Sequence, residues 1–161
     1  MTGQDFRAAM RFWATGVTLV TCRAPAGLHG ITVNSFTSLS LDPALALVCI
    51  DRKAKAYLEI PAAGHFVVNL LGADQKEVSD RFAGRRPDLT DLFEGIEVRD
   101  TATGHPALPN ALAYLDCELR ERIEGGDHII LVGEVKDAAV LRQGPPLLFF
   151  GGSYRALQET D

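Results

Sequence analysis

Four short segments carry residue types that could hold a small polar ligand. From Thr32 to Ser40 the chain reads Thr-Val-Asn-Ser-Phe-Thr-Ser-Leu-Ser, five hydroxyls and an amide in nine residues. Thr32, Val33, Asn34 and Ser35 head this run, and Ser38 and Ser40 close it. Neutral donors of this kind suit a ligand with polar ring edges and a phosphate; a loop that caps its own backbone has the same composition. A second segment, Asp51-Arg52-Lys53-Ala54-Lys55, follows an apolar run and sets three cations within four residues. That density can hold a phosphate or make a solvated turn. Arg81, Arg85 and Arg86 surround Phe82 and form another cationic cluster. Finally, Gly125-Gly126-Asp127-His128 runs into Ile129-Ile130-Leu131-Val132, which puts an imidazole at the mouth of a strand.

Other chemistries have no signature in the chain. There is no Gly-rich dinucleotide fingerprint, no phosphate-binding P-loop, no HExxH and no GxSxG nucleophile turn. The histidines, His29, His65, His105 and His128, are scattered. The cysteines, Cys22, Cys49 and Cys117, are odd in number and widely spaced. No CxxC pair exists, so no metal site is expected; the thiols read as small buried hydrophobes.

The elements that must position these segments follow from periodicity and turn residues. Asp5 to Ala14 reads as a helix with Phe6, Met10 and Trp13 on one face, packed on the core or on a partner subunit. Gly16 ends it. Val17 to Cys22 is a strand dense in β-branched residues, and Pro25-Ala26-Gly27 turns it into Gly30 to Val33 as a hairpin. Asn34 to Ser40 reads as a polar loop closed by Asp42-Pro43. Leu45 to Ile50 is wholly apolar, as for a strand buried on both faces. His65 to Leu71 is a further strand.

Ala73 to Ala83 is a helix with Val78 and Phe82 inward, and Lys76/Asp80 and Glu77/Arg81 paired one turn apart. Gly84 is its C-terminal stop. Arg85 to Pro109 is loop with one short strand near Ile96 to Arg99. From Leu112 to Ile123, Leu115, Cys117, Leu119 and Ile123 alternate with Asp116, Glu118, Arg120 and Arg122. Period 2 with the charges on one face makes a strand, Glu121 being the one break. Ile129 to Leu141 and Leu147 to Phe150 complete about seven hairpin-connected strands. These argue for an antiparallel barrel with a few peripheral helices rather than a doubly wound sheet.

The chain has 161 residues, 47% hydrophobic and 23% charged, with a formal net charge of −5. That is the size and mix of one folded domain spanning 1–161. An acidic domain is a poor polyanion binder, so no nucleic acid partner is expected. No stretch approaches the ~18 apolar residues of a bilayer span, and Met1 to Met10 has no signal-like apolar core. The expectation is a cytoplasmic protein with no membrane contact.

Taken together and in order, these segments resemble the flavin reductase-like family, the FMN-binding split barrels that include reductase components of two-component flavin monooxygenases. The matching stretches are Gly16 to Thr21, Gly30 to Ser40 with Asp42-Pro43, Phe66 to Leu71, Gln75 with Ser79, and Phe82-Ala83. They continue with Leu115-Asp116-Cys117, Gly126-Asp127-His128 with Gly133, and Pro146-Leu147-Leu148 with Tyr154.

The resemblance implies a mainly β, antiparallel split barrel, a homodimer with each flavin near the interface, and FMN or FAD reduced by NADH or NADPH. It implies that Thr32, Val33, Asn34 and Ser35 line the flavin ring. Ser38, Ser40 and the turn Asp51, Arg52, Lys53 and Lys55 would hold the phosphate, with Phe82 and Ala83 closing over the flavin. His128, as the catalytic residue, and Tyr154 would place the nicotinamide. No metal is implied, and reduced flavin would pass to a separate monooxygenase. Relatives carry hydroxyls where this chain has Ala54 and Ala56, which leaves the phosphate to Lys53 and Lys55. Two other readings stay open: a split-barrel protein that binds flavin or haem without turnover, and an oxidase or oxygenase that keeps its flavin.

Overall fold

The computed structural model describes residues 1–157. The chain opens with α1 (Gly3–Met10), then β1 (Thr15–Gly16), β2 (Thr18–Ala24), β3 (Gly27–Val33), β4 (Phe36–Leu41) and β5 (Ala44–Asp51). Next come α2 (Ala56–Ala63), β6 (His65–Leu70), a single 3₁₀ turn and α3 (Lys76–Phe82). The rest is β7 (Arg99–Asp100), β8 (Pro106–Ala107), β9 (Ala113–Gly125), β10 (His128–Val140), β11 (Leu148–Phe150) and β12 (Ser153–Arg155).

Seven strands form one antiparallel sheet in the order β3-β2-β6-β9-β10-β5-β4. Its two edges, β3 and β4, are consecutive in the chain, and the crossover at Asn34–Ser35 brings them together. Cys49 on β5 donates its N–H to Ser35 O at 3.3 Å, carrying the β5–β4 ladder up to this crossover. This is the expected split barrel. Its interior holds Val20, Val48, Ile50, Phe66, Ile129 and Leu131, all fully buried. A second cluster, with Val17, Leu19, Leu71, Phe82, Leu108 and Leu147, lies between the sheet and α3. There β1, β11 and β12 make a small sheet of their own.

Several sequence expectations shift. The first helix starts at Gly3, because Thr2 and Asp5 cap it reciprocally: Asp5 N donates to Thr2 Oγ1 at 3.2 Å and Thr2 N to Asp5 Oδ2 at 2.8 Å. It ends at Met10, so Trp13 lies beyond it. No residue of α1 is buried; Phe6 is 55% and Trp13 66% exposed, so this face does not pack on the core.

The segment read as a polar loop is strand β4 from Phe36 onward, paired only with β5. An edge strand can turn Thr37 and Ser38 outward, so its polarity hid it. β5 buries Ala46, Val48 and Ile50, while Leu45, Leu47 and Cys49 stay half-buried, so one face rather than two is covered within the chain. Helix α2 was not expected. Pro61 lies inside it and reads as a breaker, yet Ala56 and Ile60 anchor it in the barrel core.

The alternation in β9 is real, and its break has a cause. Val132 opposes Glu121 while Gly133 opposes Leu119, leaving Arg120 as a bulge. One extra residue reverses the alternation beyond it, which leaves Ile123 41% exposed. Asp116 departs from the charged face as well: it is only 1% exposed, beneath the β7–β8 hairpin. The α3 expectations hold, with Lys76–Asp80 at 3.5 Å, Arg81–Glu77 at 2.6 Å and a left-handed Gly84 at φ 72°.

Candidate functional site

At the seam between β3 and β4, four adjacent residues have four different fates. Thr32 Oγ1 donates to Ser79 O at 2.8 Å, tying β3 to α3. Val33 is buried, and its carbonyl accepts from Thr18 Oγ1 at 3.0 Å. Ser35 Oγ donates to Cys49 O at 2.7 Å and so fastens the crossover to β5. Asn34 is exposed, and its amide makes no side-chain hydrogen bond among the described residues.

Asn34 stands where three clefts meet. The first, about 380 Å³, runs under α1 past Arg7, Arg11, Trp13, Thr15 and Phe150. The second, about 370 Å³, is apolar, lined by Trp13, Val17, Phe36, Leu71 and Leu147. The third, about 150 Å³, is lined by Val17, Thr32, Asn34, Ser79, Ala83, Arg85, Phe149 and Tyr154. Thr15 borders the first two, and its hydroxyl oxygen is buried without a hydrogen-bond partner. An orphaned hydroxyl beside a free amide, within apolar walls, fits a flat heteroaromatic ligand with polar edges.

Tyr154 is fixed from several sides. Its hydroxyl lies 2.8 Å from Ser79 Oγ and donates to Asp80 Oδ1 at 3.1 Å. Arg85 bonds the same carboxylate at 3.0 Å and lies over the ring, 5.2 Å from its centroid. Burial, and then the neighbouring carboxylate, push the phenol above its ordinary value, so it is a proton donor at neutral pH. Partial burial opposes ionisation of Asp80, but Tyr154, Arg85 and Lys76 together hold its carboxyl below the usual range.

The other expected residues divide into two groups. Ala83 borders the third cleft, but Phe82 does not: it is buried edge-on against Phe93, with ring centroids 4.7 Å apart, below Gly30. α3 turns it inward with Val78, so it supports the cleft from behind. Arg81 and Arg86 both bond Glu77, at 2.6 and 3.0 Å. Of the three arginines only Arg85 faces a cleft.

The turn after β5 lies elsewhere. Asp51 accepts from Lys53 N at 2.8 Å, and Arg52 is ion-paired with Glu124. Lys53 and Lys55 carry no ion pair among the described residues. His128 opposes Asp51 across β10–β5, and its Nδ1 lies 2.8 Å from Asp127 Oδ1. Hence His128 and the basic turn are neighbours, while Tyr154 belongs to the third cleft. Ser38 and Ser40 oppose Ala46 and Leu45, at the other end of β5 from Asp51. Five strand steps, about 17 Å, separate Ala46 from Asp51. One chain therefore does not close Ser38, Ser40 and the basic turn on a single phosphate.

Thr15, Asp80 and the cleft-lining role of Trp13 went unseen in the sequence. No local signal marks them, because their partners are distant in the chain. Among the described residues no cluster of ligating side chains could hold a metal ion, and no helix is long and apolar enough to cross a membrane. The three cysteines are free, and burial pushes the Cys22 and Cys117 thiols up to about 12.

Comparison with known proteins assigns this split barrel to a family. Residues 10–158 match the model of the flavin reductase like domain, and the chain belongs to that family. It is 35% identical over 153 residues to the flavin-dependent monooxygenase reductase subunit HsaB of Rhodococcus jostii, covering 95% of this chain and 77% of that one. The solved flavin reductase PheA2 superposes with a TM-score of 0.91 at 38% identity, covering 99% of this chain and all of the other. The NADH:FAD oxidoreductase SgcE6 of Streptomyces globisporus, solved with NAD and FAD fragments, gives 0.87 at 33% identity, over 96% and 92% of the two chains.

Proposed function

We propose that this chain is an NAD(P)H:flavin oxidoreductase that reduces FMN or FAD and supplies the reduced flavin to a separate monooxygenase, acting as a cytoplasmic homodimer. The observation that carries the reading is the meeting of three clefts at Asn34, beside the orphaned Thr15 hydroxyl and the fixed Tyr154 phenol. Supporting it, HsaB is by name the reductase subunit of a flavin-dependent monooxygenase, and SgcE6 by name an NADH:FAD oxidoreductase.

When bound, the flavin supplies the hydride-accepting chemistry opposite the nicotinamide. The protein's part is binding, orientation and exclusion of water. In this reading the Asn34 amide and the backbone from Thr32 to Ser35 meet the polar edge of the flavin ring. The apolar walls from Val17, Phe36 and Leu147 keep water from its face. Tyr154 holds its proton toward Asp80 and accepts from Ser79, which fixes the phenol ring as a wall against which the nucleotide packs. His128 carries its proton on Nδ1 toward Asp127 and turns Nε2 outward as an acceptor for the nicotinamide carboxamide.

Lys53 and Lys55, without an ion pair among the described residues, remain the candidates for a flavin phosphate at one end of the barrel. Ser38 and Ser40 would reach a phosphate only at the other end. The exposed apolar side chains of α1 are where a second subunit would pack, completing the walls of the first cleft.

Mixing the protein with FMN or FAD and NADH without oxygen tests the reading. The visible flavin band should bleach far faster than without protein. A band that persists in every flavin and nicotinamide combination would remove the reductase function.

A further inference from the structure

Away from the clefts, the turn of the β7–β8 hairpin is fastened to the large sheet through one buried carboxylate. Asp116 on β9 accepts from Thr101 Oγ1 at 2.5 Å, from the Thr103 hydroxyl, and from His105 Nδ1 at 2.8 Å. All three donors come from residues 101–105. The His105 ring lies flat against that of His65, with centroids 3.5 Å apart and 12° between the planes. His65 opens β6. Its Nδ1 lies 3.0 Å from Ala63 O, and a carbonyl can only accept, so Nδ1 carries the proton. Its Nε2 is buried and has no partner among the described residues.

The neutral arrangement leaves one ring acceptor unpaired, and a more highly charged one is worse. A second proton on His65 would go to Nε2, where no acceptor waits. It would also place a cation face to face with another imidazole. The charged groups around the stack offset it only in part. Arg23 on β2 is bonded to Asp100 of the hairpin at 2.8 Å. Glu118, opposite His65 on β9, bonds Arg120 at 3.5 Å and Lys136 at 3.3 Å. Asp116 favours a charge on His65 but bonds only the hairpin's three donors.

We propose that the His65–His105–Asp116 stack is a pH-sensitive latch: with His65 neutral it clamps the β7–β8 hairpin to the sheet, and a second proton on His65 releases it. The hairpin's other fastenings show what release would loosen. Pro106 O accepts from Thr21 Oγ1 at 2.5 Å, and Leu108 N donates to Asn69 Oδ1 at 2.7 Å. Leu108 belongs to the second core cluster together with Val17, which lines the second and third clefts. An acid-opened hairpin therefore slackens the floor beneath the site.

The sign follows from His65. Burial first, and then the facing ring of His105, hold its imidazole below the ordinary value. The stabilisation is complete above the free imidazole's value of about 6.5 and is lost as pH falls from there through the folded value.

Amide hydrogen exchange of the whole chain at about pH 7.5 and about pH 5.5, corrected for intrinsic rates, tests the latch on either side of the free imidazole value. Opening of residues 99–108 should rise about tenfold relative to β10, as one differentially titrating group gives. In the His65→Phe chain, which keeps a stacked ring, that dependence should vanish. Exchange in 99–108 that merely keeps pace with β10 overturns the latch. So does a His65 imidazole found by NMR, in the unaltered chain, to titrate at or above the free value; a lowered titration supports it even where the variant does not fold. None of these readouts depends on flavin or nicotinamide.

Discussion

Asp80 Oδ1 accepts from the Tyr154 hydroxyl at 3.1 Å and from Arg85 at 3.0 Å, so one carboxylate fixes both the phenol and the guanidinium of the third cleft. Removing either bond should loosen the nucleotide side of the site without touching the flavin seam. For Tyr154→Phe and for Asp80→Asn, KM for NADH should rise about fivefold, as for a net loss of ~1 kcal/mol per hydrogen bond, with flavin affinity unchanged. Steady-state kinetics with NADH varied at saturating flavin check this. A rise in the flavin KM instead would move Tyr154 to the flavin side.

Asn34 offers the one uncommitted side-chain amide at the meeting of the clefts, while Ser35 is bound into the seam through Cys49. Asn34→Ala should weaken FMN or FAD binding about fivefold to thirtyfold, for one or two lost bonds to a polar ring edge, and leave the melting temperature alone. Ser35→Ala should do the reverse, lowering stability more than affinity. Quenching of flavin fluorescence and thermal unfolding separate the two effects.

Buried Asn69 ties three segments together. Its Nδ2 donates to Leu19 O at 2.9 Å and Thr21 Oγ1 at 3.0 Å, and its Oδ1 accepts from Leu108 N at 2.7 Å. Asn69→Leu keeps the volume but strands these groups in the interior. It should cost about 2–4 kcal/mol, since unsatisfied buried groups bear their full desolvation penalty. Denaturant unfolding measures it. A loss under ~1 kcal/mol would mean that the hairpin does not rely on this residue.

Helix α1 has no buried residue, and its Phe6 and Met10 are exposed together with Phe12 and Trp13 just beyond it. Such a patch marks an interaction surface. On the proposed homodimer, Phe6→Glu with Trp13→Glu should give a monomer in sedimentation or light scattering. A double variant that stays dimeric would place the interface elsewhere.

What the sequence made legible was governed by local pattern. The alternation of Leu115, Cys117 and Leu119 revealed β9, and its break at Glu121 marked the Arg120 bulge. The β2–β3 hairpin and the ion pairs of α3 were equally plain. Strand β4 was hidden because an edge strand carries hydroxyls as a loop does. Helix α2 was hidden by Pro61, since burial of Ile60 overrides the local breaker. At the site, the Asn34–Ser35 segment stood out by composition. Which hydroxyl was free did not, because Thr32 and Ser35 are engaged by Ser79 and Cys49, distant in the chain. Phe82 belonged with Ala83 by adjacency, yet one residue on a helix is a turn of about 100° and faces another way.

The central claim is that flavin is turned over rather than merely held. The most direct measurement is NADH oxidation by the purified protein in air, followed by the fall in near-ultraviolet absorbance as free FMN or FAD is added. The account predicts a rate that rises with free flavin and saturates. A folded protein that binds flavin yet gives no oxidation with any flavin or nicotinamide, or a rate indifferent to added flavin, would contradict it.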